Sequence, residues 1–344
     1  MVHFDDFDEY EPFQSIKNMP LEQSRTSARY NPNHKPKRSP DQVRLELSDQ
    51  AEDEREFDFT YQASRHEREW MLDALSGFHQ LHWLEDVLRL IKGGKEASVY
   101  QCTTSPFSSV QAPYMAAKVY RPRRFRNLKN DHLYREGRDD LDADGNVVVD
   151  DGMLHAMRKR TEYGRELLHI SWIEHEFKTM QLLHRAGVDL PEPYISGGNT
   201  ILMAYIGDEE SAAPTLNSLD LTKTEAGPLF EQVMNNIELM LAHGRVHADL
   251  SAYNLLYWEG HLWLIDFPQA ISPSGNLNAF RIFERDVTRI CEYFSRQGVS
   301  ADARRIAAQM WTAKRYRLGP EVDLRLLNPD DQADREYWEK YGGT

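Results

Sequence analysis

An α+β fold, with a small antiparallel sheet carrying one helix and a mostly helical second half, is predicted for this chain by three observations. Short β-prone runs bounded by turn residues fill the first half: IKGGKEASVYQC and APYMAAKVY, then EPYISGG and TILMAYIG. A helical period in HISWIEHEFKTMQLLHRAG separates the two pairs. From Leu229 onward the apolar residues recur mainly at helical spacing.

The 344 residues suffice for one large domain or two lobes with a real core. A net charge of −14 argues against a generic nucleic-acid binder, which needs a basic surface to displace counterions, so no direct DNA binding is expected. Cys102 and Cys291 lie far apart without a CxxC spacing, which suits reduced thiols in a cytoplasm better than a disulfide framework. The absence of a cationic start before an apolar run, and of any long apolar segment, points to a soluble protein with no membrane partner.

Residues 1–60 combine acidic clusters with NPNHKPKRSP and show no sustained apolar period, so a disordered acidic and polar tail is expected there. From Ala63, the stripe Trp70, Leu72, Leu75, Leu81, Leu84, Val87 and Leu88 predicts two short helices broken near Gly77. The two β-prone runs follow. Residues 121–164 are polar and highly charged, and no regular structure is assigned to them. Ile173, Phe177, Met180 and His184 mark a helix that ends at Gly187, and the next two strands flank a Gly-Gly turn. Leu229, Phe230, Val233, Met234, Ile237, Met240 and Leu241 mark a buried helix stopping at Gly244. LLYW and LWLID form a hairpin pattern, 277–297 and 301–314 read as helices, and a charged tail spans 316–344. The folded domain is thus expected over 61–315, with an N-terminal half to about residue 206 and a C-terminal half over 207–315.

Chemistry concentrates in HADLSAYNLLYWEGHLWLIDFPQ. The hairpin brings Asn254 and Asp266 to one end of two paired strands, with Asp249 in the adjoining loop. A carboxylate with an amide oxygen suits Mg²⁺, which takes few protein ligands and fills its octahedron with water and phosphate oxygens. Asp249 is left to orient or deprotonate a nucleophile. His247 is read as a hydrogen-bonding residue that orients the loop. Upstream, GGKEASVY forms a Gly-opened turn whose backbone N–H groups and Lys95 can approach phosphates, though a plain hairpin is the simpler reading of such a turn. Lys118 sits among apolar neighbours in MAAKVY and needs a partner if buried, the alternative being a surface lysine at a strand edge. Glu176 can supply that partner; Glu174, two residues away and on another helical face, is its rival.

The Asp249-to-Asn254 interval followed by a second Asp resembles the catalytic and metal loops of the protein-kinase-like fold. GKEASVY, HADLSAYN and LIDFPQ together resemble the RIO family of atypical serine kinases, from about Leu75 to about Gln297. Asp266-Phe267-Pro268 replaces the DFG of ordinary protein kinases. HADLSAYN is nearer the RIO1 branch and IDFPQ nearer the RIO2 branch, so a RIO1-like or divergent member is expected.

The resemblance implies a bilobal kinase-like fold, with a small antiparallel N-lobe sheet, one helix in the αC position and a mostly helical C-lobe. It implies ATP and Mg²⁺ in the cleft and serine/threonine transfer, with autophosphorylation or ATPase action as candidate main modes. Lys118 would contact ATP phosphates, held by Glu176; Lys95, Ser98 and Val99 belong to the glycine loop; and Met203 to Ile206 would touch adenine through the backbone of Ala204 and Ile206. Asp249 would be the catalytic aspartate and Asn254 with Asp266 the metal ligands, Asp266 also being a candidate phosphoacceptor. Ala204 departs from the acidic residue common at its position. The short stretch after Asp266, without an APE, leaves no segment to dock a peptide. A protein substrate, the chain itself or a ribosomal particle are the candidate partners. The alternatives are a small-molecule kinase of the aminoglycoside or choline type, against which GKEASVY and DFPQ weigh, and a nucleotide-switched ribosome assembly factor.

Two other signals are weighed. Asp140, Asp142, Asp144 and Gly145 fall at EF-hand intervals, but Asp151 at the terminal position, the helix-breaking Gly152 and the VVV run favour an Asp-Gly turn. The basic run Arg121, Arg123, Arg124, Arg126 and Lys129 is read as a solvated or internally paired face.

Overall fold

A computed structural model describes residues 57–121, 138–276 and 278–316. The tails and the basic run from Arg123 to Lys129 lie outside these residues, except that Phe57–Thr60 and Tyr316 are described. The chain divides into two compact units, one of 1–58 with 63–72 and one of 59–62 with 73–344. In the first, α1 (Arg65–Gln80) begins, with Arg68 paired to Asp58 and Arg65 to Glu69 at 3.3 Å. In the second, Thr60, expected in the tail, is tied to Asp86 through its N–H at 2.7 Å and its hydroxyl at 2.6 Å.

The sheet of the second unit contains β1 (Leu84–Gly93), β2 (Ala97–Thr104), β3 (Tyr114–Tyr120), β4 (Pro193–Gly197) and β5 (Thr200–Ala204), in the order β1-β2-β3-β5-β4. Every pairing is antiparallel. One prediction fails at β1: α1 runs unbroken through Gly77, and Leu84, Val87 and Leu88 belong to a strand. The cause is irregular register. Shifts between Leu84 and Asp86 and between Val87 and Arg89 put the fully buried Leu84 and Val87 three residues apart, a spacing that imitates a helix. The β1–β2 turn is tight at Gly94, where a Cβ would meet the Ala97 carbonyl oxygen at 2.8 Å.

The polar stretch is more regular than predicted. Leu141 bridges Val147 across an Asp-Gly turn, in which Asp142 Oδ1 accepts the N–H groups of Asp144 and Asn146. Then α2 (Asp151–Lys159) starts, capped by Asp150. Gly152 therefore lies inside a helix instead of breaking one, at its first turn where its cost is small. Thr161 caps α3 (Glu162–Arg185), longer at its start than its periodicity suggested. Gly164 lets the helices close up: a Cβ there would stand 1.9 Å from the Ala156 carbonyl oxygen.

The second half holds α4 (Lys223–Ala242), opened by a Thr222/Glu225 capping box, then hairpin β6 (Leu255–Trp258) and β7 (His261–Leu264), α5 (Ala279–Arg296) and α6 (Ala303–Ala313). One apolar core joins residues of α4, α5, α6 and the hairpin to Ala116, Met180, Leu183 and Met203 of the sheet half. The expected α+β, bilobal kinase-like architecture is the one observed.

Candidate functional site

Register fixes Lys118 in the middle of β3, opposite Val99 on β2 and Ile201 on β5. Its ammonium lies 2.7 Å from Glu176 Oε1 and 2.8 Å from Asp266 Oδ1. Glu176, with 1% of its side chain exposed, comes from α3 and also accepts the Phe267 N–H at 3.2 Å and the Tyr120 hydroxyl. Three elements distant in sequence are thus knotted around one buried cation. Lys118 is not a surface lysine, and the helix phase decides between the glutamates. Glu174 is also buried, but its neighbours are Ser196 and Lys178.

Burial alone would lower the Lys118 ammonium, but Asp266 and Glu176 outweigh it and hold it well above the usual lysine range. Desolvation likewise pushes Asp266 up, and Lys118, helped by His247 and Lys92, overrides it, leaving the carboxyl below the usual range. Burial, then the neighbouring Glu176 charge, raises the Tyr120 phenol.

The loop 247–254 is tied to the segment that carries Asp266. His247 Nε2 meets the Ile265 carbonyl at 3.1 Å, tying the loop to the strand end before Asp266, and burial holds its imidazole below the usual range. The Ile265 N–H reaches the Asn254 carbonyl at 3.1 Å, so Asn254 and Asp266 meet at one end of the hairpin. Asn254, itself buried, donates Nδ2 to the Asp249 carbonyl at 2.9 Å, which ties its side chain to the loop and spends its donor end there. Ala248 (φ 67°) and Asp266 (φ 73°) both occupy the left-handed region, which favours glycine.

Helix α5 holds the strained loop, and sequence reasoning missed this. Arg285 donates to the Ala248 carbonyl and to Asp286 Oδ1 at 3.1 Å, and Arg289 Nη1 meets Asp249 Oδ1 at 3.0 Å. Burial pushes the Asp286 carboxyl up to about 7, against the pull of Arg285. Positions 285, 286 and 289 share a helical face, and a carboxylate among apolar neighbours in RIFERDVTRI was the available signal. A second missed residue is His175 on α3. Burial and Arg138 lower its imidazole to about 3, so it is neutral and donates Nε2–H to the Ala270 carbonyl at 3.0 Å.

The remaining expected positions are less tightly gathered. Lys95 is exposed in the β1–β2 turn, outside the Lys118 knot. Ser98 is buried and accepts from Arg121 at 3.4 Å. Val99 packs on the apolar core near Met203, and by register Lys92, Val99 and Lys118 stand side by side on one sheet face. Ala204 spends its N–H on the Glu192 carbonyl at 2.8 Å, and Ile206 spends its carbonyl on the Ala213 N–H at 2.9 Å.

A family model described as the RIO domain matches residues 98–306, more than half of the chain. The chain is 29% identical over 216 residues to "Serine/threonine-protein kinase rio1" of Schizosaccharomyces pombe, covering 62% of this chain and 39% of that protein. It is 28% identical over 211 residues to "Serine/threonine-protein kinase RIO1" of Homo sapiens, covering 61% and 33%. Against "RIO-type serine/threonine-protein kinase Rio1" of Haloferax volcanii it is 28% identical over 215 residues, covering 62% and 64%. The matched region is thus well under half the length of the eukaryotic relatives. These names favour neither a small-molecule kinase nor an assembly factor.

Proposed function

Because the chain belongs to the RIO family, we propose that it is an ATP- and Mg²⁺-dependent phosphotransferase acting on serine or threonine hydroxyls, its own among them. The observation that carries this reading is the simultaneous contact of Lys118 with Glu176 at 2.7 Å and Asp266 at 2.8 Å. An ammonium has three N–H donors, and two are spent on these carboxylates. The third, on a cation kept charged by its neighbours, suits a phosphate oxygen.

In this reading Asn254 and Asp266 hold Mg²⁺. The donor set fits: one carboxylate with its charge secured and one pre-oriented amide oxygen are hard ligands, few in number. The bound ion would neutralise charge on the transferring phosphoryl group. Asp249 aligns the acceptor hydroxyl and takes its proton. The Ala204 carbonyl and the Ile206 N–H, not engaged in the bonds above, meet the adenine edge. Met203 and Val99 supply its apolar contact, and Ser98 and Lys95 lie on the phosphate side. Buried, unpaired Cys102 and Cys291 support a reducing compartment such as the cytoplasm. Among the described residues no helix is long and apolar enough to cross a membrane.

The short segment after Asp266 favours a second outcome of the same site. Ile271 exchanges both backbone hydrogen bonds with Val246 at 2.9 Å, so the chain is pinned five residues beyond Asp266. That leaves little length to dock a peptide, which suits autophosphorylation or ATP hydrolysis. Incubation with γ-labelled ATP and Mg²⁺, with label mapping and phosphate release measured together, tests both. Acid-stable, base-labile label on the chain supports Ser/Thr transfer, hydroxylamine-labile label marks an acyl phosphate, and free phosphate alone marks an ATPase. Absence of both label and release overturns the proposal.

A further inference from the structure

Asp249 is the half-exposed group of a loop whose backbone is buried around it. Ala248 and Leu250 on either side of it are buried, while 53% of its side chain is exposed. Its backbone is fixed by α5 and by Asn254, yet these bonds leave χ1 and χ2 of the side chain open. A carboxylate free to rotate presents the acceptor with many geometries, of which few are reactive. Arg289, also of α5 and 40% exposed, closes that freedom by bonding one oxygen, Oδ1, at 3.0 Å. The bond is monodentate, so Oδ2 is left for another partner.

We infer that Arg289 is a positioning residue: it fixes the Asp249 carboxylate through Oδ1 so that Oδ2 faces the acceptor hydroxyl. This rests on the phosphotransferase reading above. The stability value of such a pair is small, because water screens both groups and two long side chains must be ordered. Its geometric value is independent of that. A planar guanidinium sets direction as well as charge, and its attachment to the same helical face as Asp286 makes the side chain and the backbone of the loop move together. The acceptor thus meets a carboxylate referenced to one rigid element.

The test uses the full chain. Arg289→Ala is expected to lower phosphoryl transfer at saturating ATP roughly 10- to 100-fold, the scale of a misplaced reacting group. ATP affinity, measured by nucleotide titration with Mg²⁺, should stay unchanged, because Arg289 acts on the acceptor side. Arg289→Lys should restore part of the rate. An unchanged rate in Arg289→Ala, or a loss confined to ATP affinity, would overturn the inference. An unsubstituted chain that neither transfers nor hydrolyses would overturn the phosphotransferase reading itself, and this inference with it.

Discussion

The two charged groupings of this site are built on opposite principles. Lys118 and Glu176, with 10% and 1% of their side chains exposed, are the buried centre of a knot joining strand and helix, which Asp266, 43% exposed, closes from the loop. Asp249 and Arg289 form a half-exposed pair between a loop and its neighbouring helix. In the knot each charge needs the others, because an unpaired charge in a low-dielectric setting is costly. In the pair, water can replace either partner. The knot therefore couples catalysis to folding, whereas the pair leaves them separate.

The largest expected difference follows directly. Lys118→Met strands Glu176 as a buried carboxylate and should destabilise the fold by about 3–5 kcal/mol while abolishing phosphoryl transfer. Asp249→Ala should abolish transfer too, yet cost at most about 1 kcal/mol of stability. Denaturant unfolding of both variants beside an ATP-transfer assay decides. Equal destabilisation would mean that the two groupings are not different in kind.

A smaller effect separates the two glutamates of α3. Glu176→Gln keeps an oxygen for the Phe267 N–H but removes the charge that holds Lys118, and transfer should fall on the order of 10-fold. Glu174→Ala should leave transfer intact, because Glu174 faces Ser196 and Lys178. Equal loss from both variants would show that the helix phase does not govern the site. Tyr120→Phe sharpens the point further: it removes a neutral donor to Glu176 and should cost about 1 kcal/mol with transfer largely kept. A melting temperature equal to that of the parent would remove Tyr120 from the knot's supports.

Asp249, Asn254 and Asp266 could be read from the sequence because their order is local: an Asp, an Asn five positions on and an Asp after a hairpin mean little except in that order. What remained hidden had physical causes. Glu176 and Glu174 are both plausible until the helix phase against β3 is known. Arg289 lies 40 residues from Asp249 and reads simply as the polar side of an amphipathic helix. The bulged register of β1 hid a strand behind a helix-like spacing, and α2 hid in a charged stretch because its signals are a capping Asp and a short apolar face.

Smallest at neutral pH is the effect that concerns how α3 is tethered to the segment after Asp266. His175 sits one position before Glu176, and its neutral ring donates to the Ala270 carbonyl, which Arg138 also bonds at 2.8 Å. Its folded-state value of about 3 lies below the ordinary histidine value of 6.5, so between these limits the unfolded chain binds a proton that the folded chain refuses. Stability should therefore be intact above pH 6.5 and fall as the pH drops through that window, by up to about 1.4 kcal/mol per pH unit for this one group. Glutamine can make the same donation without titrating. His175→Gln should match the parent near pH 7 and lose less stability by pH 4.5, because there the unfolded parent takes up a proton on His175 that the folded parent, with the ring beside Arg138, still refuses. Melting curves of the two proteins at both pH values measure this. A parallel fall would place the acid sensitivity elsewhere, with the carboxylates of the knot as the next groups to examine.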